Sequence, residues 1–146
     1  MAHKGVLKIE THDKEYIVIE CSYTLTQRMN YNGEPAEKPR AGEIQLTTVA
    51  PSDIDMFFHR WMQDPVGLQE GEIVLQVVDN VSVVDRTIKF KDAYCTNIYE
   101  YFNMHNSDQM HIRLTISATE IAFGGNDERN QVVFKNNKPI NPSSAE

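Results

Sequence analysis

Regular alternation of apolar and polar residues runs through most of this chain and predicts β-strands. In residues 110–119 it puts Met110, Ile112, Leu114, Ile116 and Ala118 on one side, which we expect to be buried. Similar patterns predict strands at residues 6–10, 16–27, 43–49, 72–78, 87–91 and 93–102, and an edge strand at 131–135. The chain is therefore predicted to be a mainly β, antiparallel domain.

The longest alternating stretch, residues 16–27, predicts one buried face. Its apolar side consists of Ile17, Ile19, Cys21, Tyr23 and Leu25. Residues 72–78 are apolar on both sides, so we expect both sides to be buried and the helix to dock on this strand.

The strand at residues 87–91 alternates Lys89 and Lys91 with two apolar residues. Lysines on an edge strand prevent pairing with other chains, so this strand is a candidate for a protected sheet edge. We expect it to continue through a kink at Asp92 into residues 93–102.

One helix is predicted, at residues 52–63. Ser52 followed by Asp55 has the spacing of a capping box, and Asp64-Pro65 ends the helix. Its apolar stripe consists of Ile54, Phe57, Phe58, Trp61 and Met62. We predict that this stripe is core packed on the strands; the alternative is that its aromatic rings line a ligand pocket.

A long connection separates the strands at residues 16–27 and 43–49. Residues 28–42 contain Asn32-Gly33, two prolines and charges of both signs. Connections of this length are typically either disordered or functional, and both readings stay open at this point. As a contact arm, its candidate residues are Tyr31, Asn32, Gly33, Glu34, Glu37, Lys38 and Arg40.

Composition narrows the class of protein. The 146 residues suffice for one domain, and the net charge of −7 disfavours nucleic-acid binding. The N-terminal residues lack an apolar signal-peptide core, and no run is long enough for membrane insertion, so we expect a soluble protein made in the cytoplasm. Two cysteines, Cys21 and Cys95, are interpreted as buried reduced thiols.

Known catalytic and cofactor motifs are missing from the sequence. There is no nucleophile elbow, P-loop or dinucleotide fingerprint, and the five histidines show no metal-ligand spacing. We therefore predict no catalytic residue, no cofactor and no metal. Tyr94, Tyr99, Tyr101 and Phe102 would mark a contact surface if they are exposed.

A small antiparallel domain with one helix leaves sheet edges uncovered. Closure into a barrel would remove them, and so would head-to-tail assembly into a ring.

The order of strand, long loop, strand, helix and further strands resembles the tube protein of type VI secretion systems, TssD or Hcp, in its Bacteroidetes form. The resemblance spans about residues 6–124. It rests on Cys21-Ser22-Tyr23-Thr24-Leu25 before the loop, Gly42 after it, Phe90 with Ala93-Tyr94 and Tyr99-Glu100-Tyr101 in the central strand, and Ile116-Ser117-Ala118 with Ile121 and Gly124 in the last.

The resemblance implies an antiparallel two-sheet β-barrel with one α-helix packed on it, and a structural rather than enzymatic role. Six copies would form a ring, the rings would stack through the loop at 28–42, and Thr115, Ser117 and Thr119 would face the channel. Implied partners are the sheath, the spike (VgrG) and effector proteins, with export through the apparatus.

Residues 126–146 have no counterpart in this resemblance. We assign residues 1–125 to the barrel domain and 126–146 to a polar segment with the edge strand 131–135 and then a tail. Two alternatives remain: a tail-tube protein of another contractile particle, and a monomeric β-barrel that binds a small ligand or acts as an enzyme.

Overall fold

The structure is a computed structural model that describes residues 3–27, 29–35, 40–50, 56–64, 66–78, 83–102, 110–125 and 131–135. These residues form seven strands and one helix. The elements are β1 (His3–Ile9), β2 (His12–Thr26), β3 (Arg40–Val49), α1 (Phe57–Gln63), β4 (Gln69–Val78), β5 (Val83–Tyr101), β6 (His111–Gly124) and β7 (Val132–Lys135).

The strands form one antiparallel sheet that closes on itself. Their order is β3-β2-β1-β4-β5-β6-β7, and β3 also pairs with β6, so β1 to β6 make a closed barrel. β7 pairs with β6 outside this closure. The predicted mainly β barrel with a helix packed on it is confirmed. β7 falls within the edge strand predicted at 131–135.

The barrel interior is filled by large apolar side chains. The fully buried ones include Leu7, Ile44, Leu46, Phe58, Ile73, Ile88, Phe90, Leu114, Ile116 and Ile121. In β6 the predicted inward residues Ile112, Leu114, Ile116 and Ala118 are all buried. Alternation therefore predicted this strand correctly, because each of its faces keeps a single environment from residue 111 to residue 118.

The predicted buried face of β2 is wrong in the first half of the strand and at Leu25, which is 44% exposed, whereas Cys21 and Tyr23 are half-buried. Ile17 and Ile19 are 62% and 48% exposed, whereas Tyr16 and Val18 are buried. The register with β3 shifts between Val18 and Glu20, and such a bulge moves the inward position by one residue.

β5 contains the predicted kink. Asp92 has a φ of 52°, in the left-handed region, and the buried positions change from Ile88 and Phe90 before it to Ala93 and Cys95 after it. The Thr119 hydroxyl of β6 donates to the Asp92 carbonyl at 3.1 Å, so both strands turn a corner together. The prediction that Lys89 and Lys91 protect a sheet edge is wrong, because β5 lies between β4 and β6.

The helix is shorter than predicted. It begins at Phe57, and Met56, at the N-cap position, has a φ of 55° and makes no side-chain capping bond. Predicted cap residue Ser52, with Asp55 and Ile54, lies outside the described residues. A helix of this length is stabilised mainly by tertiary packing, so capping signals alone placed its start wrongly.

The helix docks on β5 rather than on β4. Trp61 Nε1 donates to the Ala93 carbonyl at 3.0 Å, and its indole stacks on Phe90. Phe58 and Trp61 are buried and Phe57 is half-buried, as predicted for core residues, but Met62 is 47% exposed. Two turns can bury only one narrow side, so the predicted stripe was too wide.

Candidate assembly surfaces

The described part of the connection between β2 and β3 is an ordered hairpin tip. β3 begins at Arg40, so residues 40–42 of the predicted loop 28–42 belong to a strand. Met29 bridges to Pro35, the Asn30 amide donates to the Glu34 carbonyl at 2.7 Å, and Gly33 turns the chain with a φ of 87°. We call residues 29–35 the hairpin tip.

The hairpin tip presents large apolar side chains to solvent. Tyr31 is 104% exposed and Met29 is 71% exposed, next to the exposed Asn32, Gly33 and Glu34. Of the other predicted loop residues, Arg40 belongs to β3, and Glu37 and Lys38 lie outside the described residues.

A second surface is the outward face of the sheet formed by β3, β6 and the later halves of β2 and β5, which we call the polar face. The strand register aligns four uncharged polar residues across it, in the order Ser22, Gln45, Thr115 and Asn97. The next row reads Glu20, Thr47, Arg113 and Tyr99 in the same strand order. The guanidinium carbon of Arg113 lies 5.6 Å from the centre of the Tyr99 ring.

Of the three predicted channel-facing residues, Thr115 and Ser117 lie on the polar face, half-buried among their neighbours. Thr119 is at the corner of the barrel, with its hydroxyl bonded to Asp92. The sequence pattern alone did not reveal the partners of these residues, because the pairing of β6 with both β3 and β5 depends on barrel closure.

The end of the barrel opposite the hairpin tip carries the helix, and we call it the helix end. Val49 at the end of β3 pairs with His111, which pairs with Tyr101. Of the four aromatic residues of the predicted contact surface, Tyr99, Tyr101 and Phe102 are exposed, and Tyr94 is half-buried. A shallow groove of about 640 Å³ lies between α1 and β5, lined by His59, Met62, Gln63, Ile98 and Glu100.

A charged surface covers the opposite sheet of the barrel. The register aligns Glu15, Lys8, Glu72 and Lys89 in a row of alternating sign, and Lys8 Nζ lies 3.7 Å from Glu15. A cleft of about 430 Å³ beside this row is lined by charged residues of both signs around Gly71. There the hydrogen bond to the Glu10 carboxyl raises the pKa of Glu70.

Gly71 forms the floor of that cleft. A Cβ at this position would lie 2.4 Å from the Lys8 carbonyl oxygen and 2.9 Å from the Phe90 ring. Only glycine therefore lets β4 approach this closely. The alternation did not indicate this, because Gly71 lies just before the predicted strand at 72–78.

Both cysteines are free thiols. Cys95 is buried, as interpreted from the sequence, whereas Cys21 is only half-buried. Burial raises the pKa of each to about 11. Among the described residues no group of histidine, cysteine and carboxylate side chains could hold a metal ion, and no helix is long and apolar enough to cross a membrane.

Comparison with known structures shows the same fold elsewhere. Hcp1 from Flavobacterium johnsoniae is 24% identical, with a TM-score of 0.68, over 91% of this chain and 99% of that one. A crystal structure of an Hcp protein is 12% identical, with a TM-score of 0.73, over 94% and 100%. The secreted protein Hcp3 from Pseudomonas aeruginosa is 9% identical, with a TM-score of 0.64, over 92% and 98%.

None of the curated proteins compared with the chain matches it. The model of one protein family, described as hemolysin coregulated protein Hcp (TssD), matches residues 1–131. That match covers the whole closed barrel, including the hairpin and the helix. The chain therefore belongs to the TssD (Hcp) family, the tube proteins of type VI secretion systems.

Proposed function

We propose that six copies of this chain close into a ring whose polar face lines a central channel, and that the rings stack into the inner tube of the secretion apparatus. The observation that carries this proposal is the sheet bearing the polar face. It combines a central row of uncharged polar side chains with two edges that carry no partner strand among the described residues.

The polar face suits the wall of a conduit. Exposed apolar patches bind other proteins, and rows of like charge create strong fields. Its central row of Ser22, Gln45, Thr115 and Asn97 is neither apolar nor charged. Protein cargo can therefore pass this wall without being held by it.

The two edges support closure into a ring. In the described strands, residues 22–26 of β2 pair with β3 and not with β1, and residues 96–100 of β5 pair with β6 and not with β4. Unpaired edges invite pairing with other chains. An edge on each side of one sheet allows the head-to-tail contact that closes a cyclic assembly.

The charged surface lies on the sheet opposite the polar face and would form the outside of the ring. Each chain carries a net charge of −7, so contacts between copies must match charges locally. The row of alternating charge through Lys8 and Glu72 can contact a partner surface that carries charges of both signs. The sheath around the tube is the proposed partner for this surface. The spike and the effectors complete the proposed partners, with export through the apparatus, and this role requires no catalysis.

The channel assignment is tested by adding bulk to it. Thr115→Trp places an indole on the polar face, and Thr87→Trp places the same group on the charged surface, where Thr87 is paired with Val74. We expect both variants to form rings in electron micrographs, with a narrowed channel only in Thr115→Trp. A channel of unchanged width in Thr115→Trp, with added density outside the ring, would exclude this orientation.

A further inference from the structure

The cleft around Gly71 opens on the charged surface, which the proposed ring leaves on its outside. Its volume of about 430 Å³ lies within the range of small-molecule sites. Gly71 in β4 and Ala122 in β6 have little or no side chain, whereas their neighbours Glu72 and Lys89 are long. The depression is therefore built into the barrel wall, and its shape does not depend on a loop.

Opposite charges line the cleft without pairing with each other. The Glu10 amide donates to the Glu70 carbonyl at 2.8 Å, and the carboxyls of the two residues are hydrogen-bonded to each other. On the next strand, β5, Lys89 and Lys91 are exposed. Within the described part of the chain, neither lysine is within ion-pair distance of a carboxylate. The cleft thus has a negative side and a positive side that its own residues do not neutralise.

The third part of the cleft is apolar. Ala122 and Val133 are paired across β6 and β7, and Val133 is 45% exposed. Ala122 is also paired with Lys89 in β5, so the apolar part directly adjoins the lysines. An apolar group placed here would remove both its own surface and that of Val133 from water.

We propose that this cleft binds a dipeptide that has free ends and an apolar C-terminal side chain. The ammonium lies between the carboxyls of Glu10 and Glu70. The carboxylate lies at the ammonium groups of Lys89 and Lys91, and the side chain covers Val133. Neighbouring strands are about 4.8 Å apart and successive Cα atoms of a peptide about 3.8 Å apart, so two residues suffice to reach from β4 across β5.

A ligand that carries both charges explains the whole lining, whereas a ligand with one charge does not. The cleft is lined by three lysines and four glutamates. A simple cation is repelled by the lysines, and a simple anion is repelled by the glutamates. An ammonium relieves the contact between two acidic groups, Glu10 and Glu70, and a carboxylate gives Lys89 and Lys91 the charge-assisted hydrogen bonds that they lack.

Calorimetric titration of the purified full chain with glycyl-leucine tests the proposal without any variant. We expect saturable binding at one site per chain. N-acetyl-glycyl-leucine lacks the ammonium and glycyl-leucine amide lacks the carboxylate, so each should bind at least roughly tenfold more weakly. No heat of binding with glycyl-leucine in the millimolar range, or equal affinity for all three compounds, would overturn the proposal.

Two substitutions test the charged groups. We expect Glu70→Gln and Lys89→Gln each to weaken the binding of glycyl-leucine at least roughly tenfold. Glu43→Gln and Lys4→Gln remove the same charges at exposed residues outside the cleft and should keep the affinity of the wild type. An equal loss of affinity in the controls would show that the net charge of the protein, and not the cleft, determines binding.

Methyl NMR locates the bound dipeptide. With labelled alanine and valine methyl groups, the signals of Ala122 and Val133 should shift on addition of glycyl-leucine. The signal of Val74, which lies on the same surface outside the cleft, should stay in place. Shifts at Val74 without shifts at Ala122 and Val133 would contradict this site. These outcomes are independent of the micrographs that test the ring, so either proposal can fail alone.

Discussion

Trp61 joins the helix to the barrel by two interactions of different kinds. Its indole ring stacks on Phe90 at a centroid distance of 6.3 Å, and its N–H donates to the Ala93 carbonyl. The hydrogen bond satisfies a backbone acceptor at the point where the pairing of β5 with β4 ends. The sequence predicted that Trp61 is core, but not this bond, because its acceptor lies 32 residues away.

We predict that Trp61→Ala lowers the free energy of unfolding by about 3–5 kcal/mol, since it leaves a cavity and an unpaired carbonyl. Trp61→Phe keeps most of the ring volume, so its free energy of unfolding should fall by less. Urea denaturation of the wild type and both variants measures this. An unchanged midpoint for Trp61→Ala would show that the helix does not stabilise the barrel.

The two thiols give a prediction about pH. Burial raises the pKa of Cys21 and Cys95 from an ordinary value of 9.0 to about 11. At pH 8 the thiolate fraction in the folded protein is then about a hundredfold lower than in the unfolded chain. Iodoacetamide should therefore label the native protein slowly and the protein in guanidinium rapidly. Equal rates would contradict the burial of both thiols.

The same pKa values set the sign of a stability change. Between about pH 9 and pH 11 the folded state retains thiol protons that the unfolded state has lost. Stability contributed by the thiols is therefore complete below pH 9 and falls as the pH rises through this range. In a Cys21→Ala, Cys95→Ala double variant, the free energy of unfolding should therefore fall less over this pH range than in the wild type.

At the scale of the element, the corner in β5 shows what sequence patterns can locate. The alternation breaks at Asp92, and aspartate tolerates the left-handed region better than most residues, so the kink was predictable. The bulge in β2 had no such signal in the sequence. Residues 16–19 are all large and apolar, so the pattern allowed either face of the strand to be buried. The burial of Tyr16 depends on its contact with Phe58 from the helix, at a ring distance of 4.6 Å.

We expect Asp92→Val to destabilise the protein by about 1–2 kcal/mol, since a β-branched residue is strained at a φ of 52°. Asp92→Gly should be tolerated, because glycine adopts this conformation freely. Lys91→Val, one residue earlier and exposed, is the matched control for the change in side chain. If Asp92→Val and Lys91→Val melt at the same temperature, the left-handed corner is not a constraint on β5.

At the scale of the whole molecule, the order of elements and a few residues in them were enough to indicate the family and the barrel. They could not indicate which faces meet other copies. The polar face depends on the pairing of β3 with β6, and the groove depends on the docking of α1 on β5 instead of β4. Both are long-range contacts that a local pattern does not encode, whereas the exposed Tyr31 in a Gly-containing turn was recognisable from the sequence.

The central claim is that the chain assembles into rings, and the solution mass of the purified full chain tests it most directly. Light scattering should give a mass six times the 16.7 kDa of one chain, and the same fraction should contain ring-shaped particles in negative-stain micrographs. A single species of 16.7 kDa across a wide concentration range would contradict the claim.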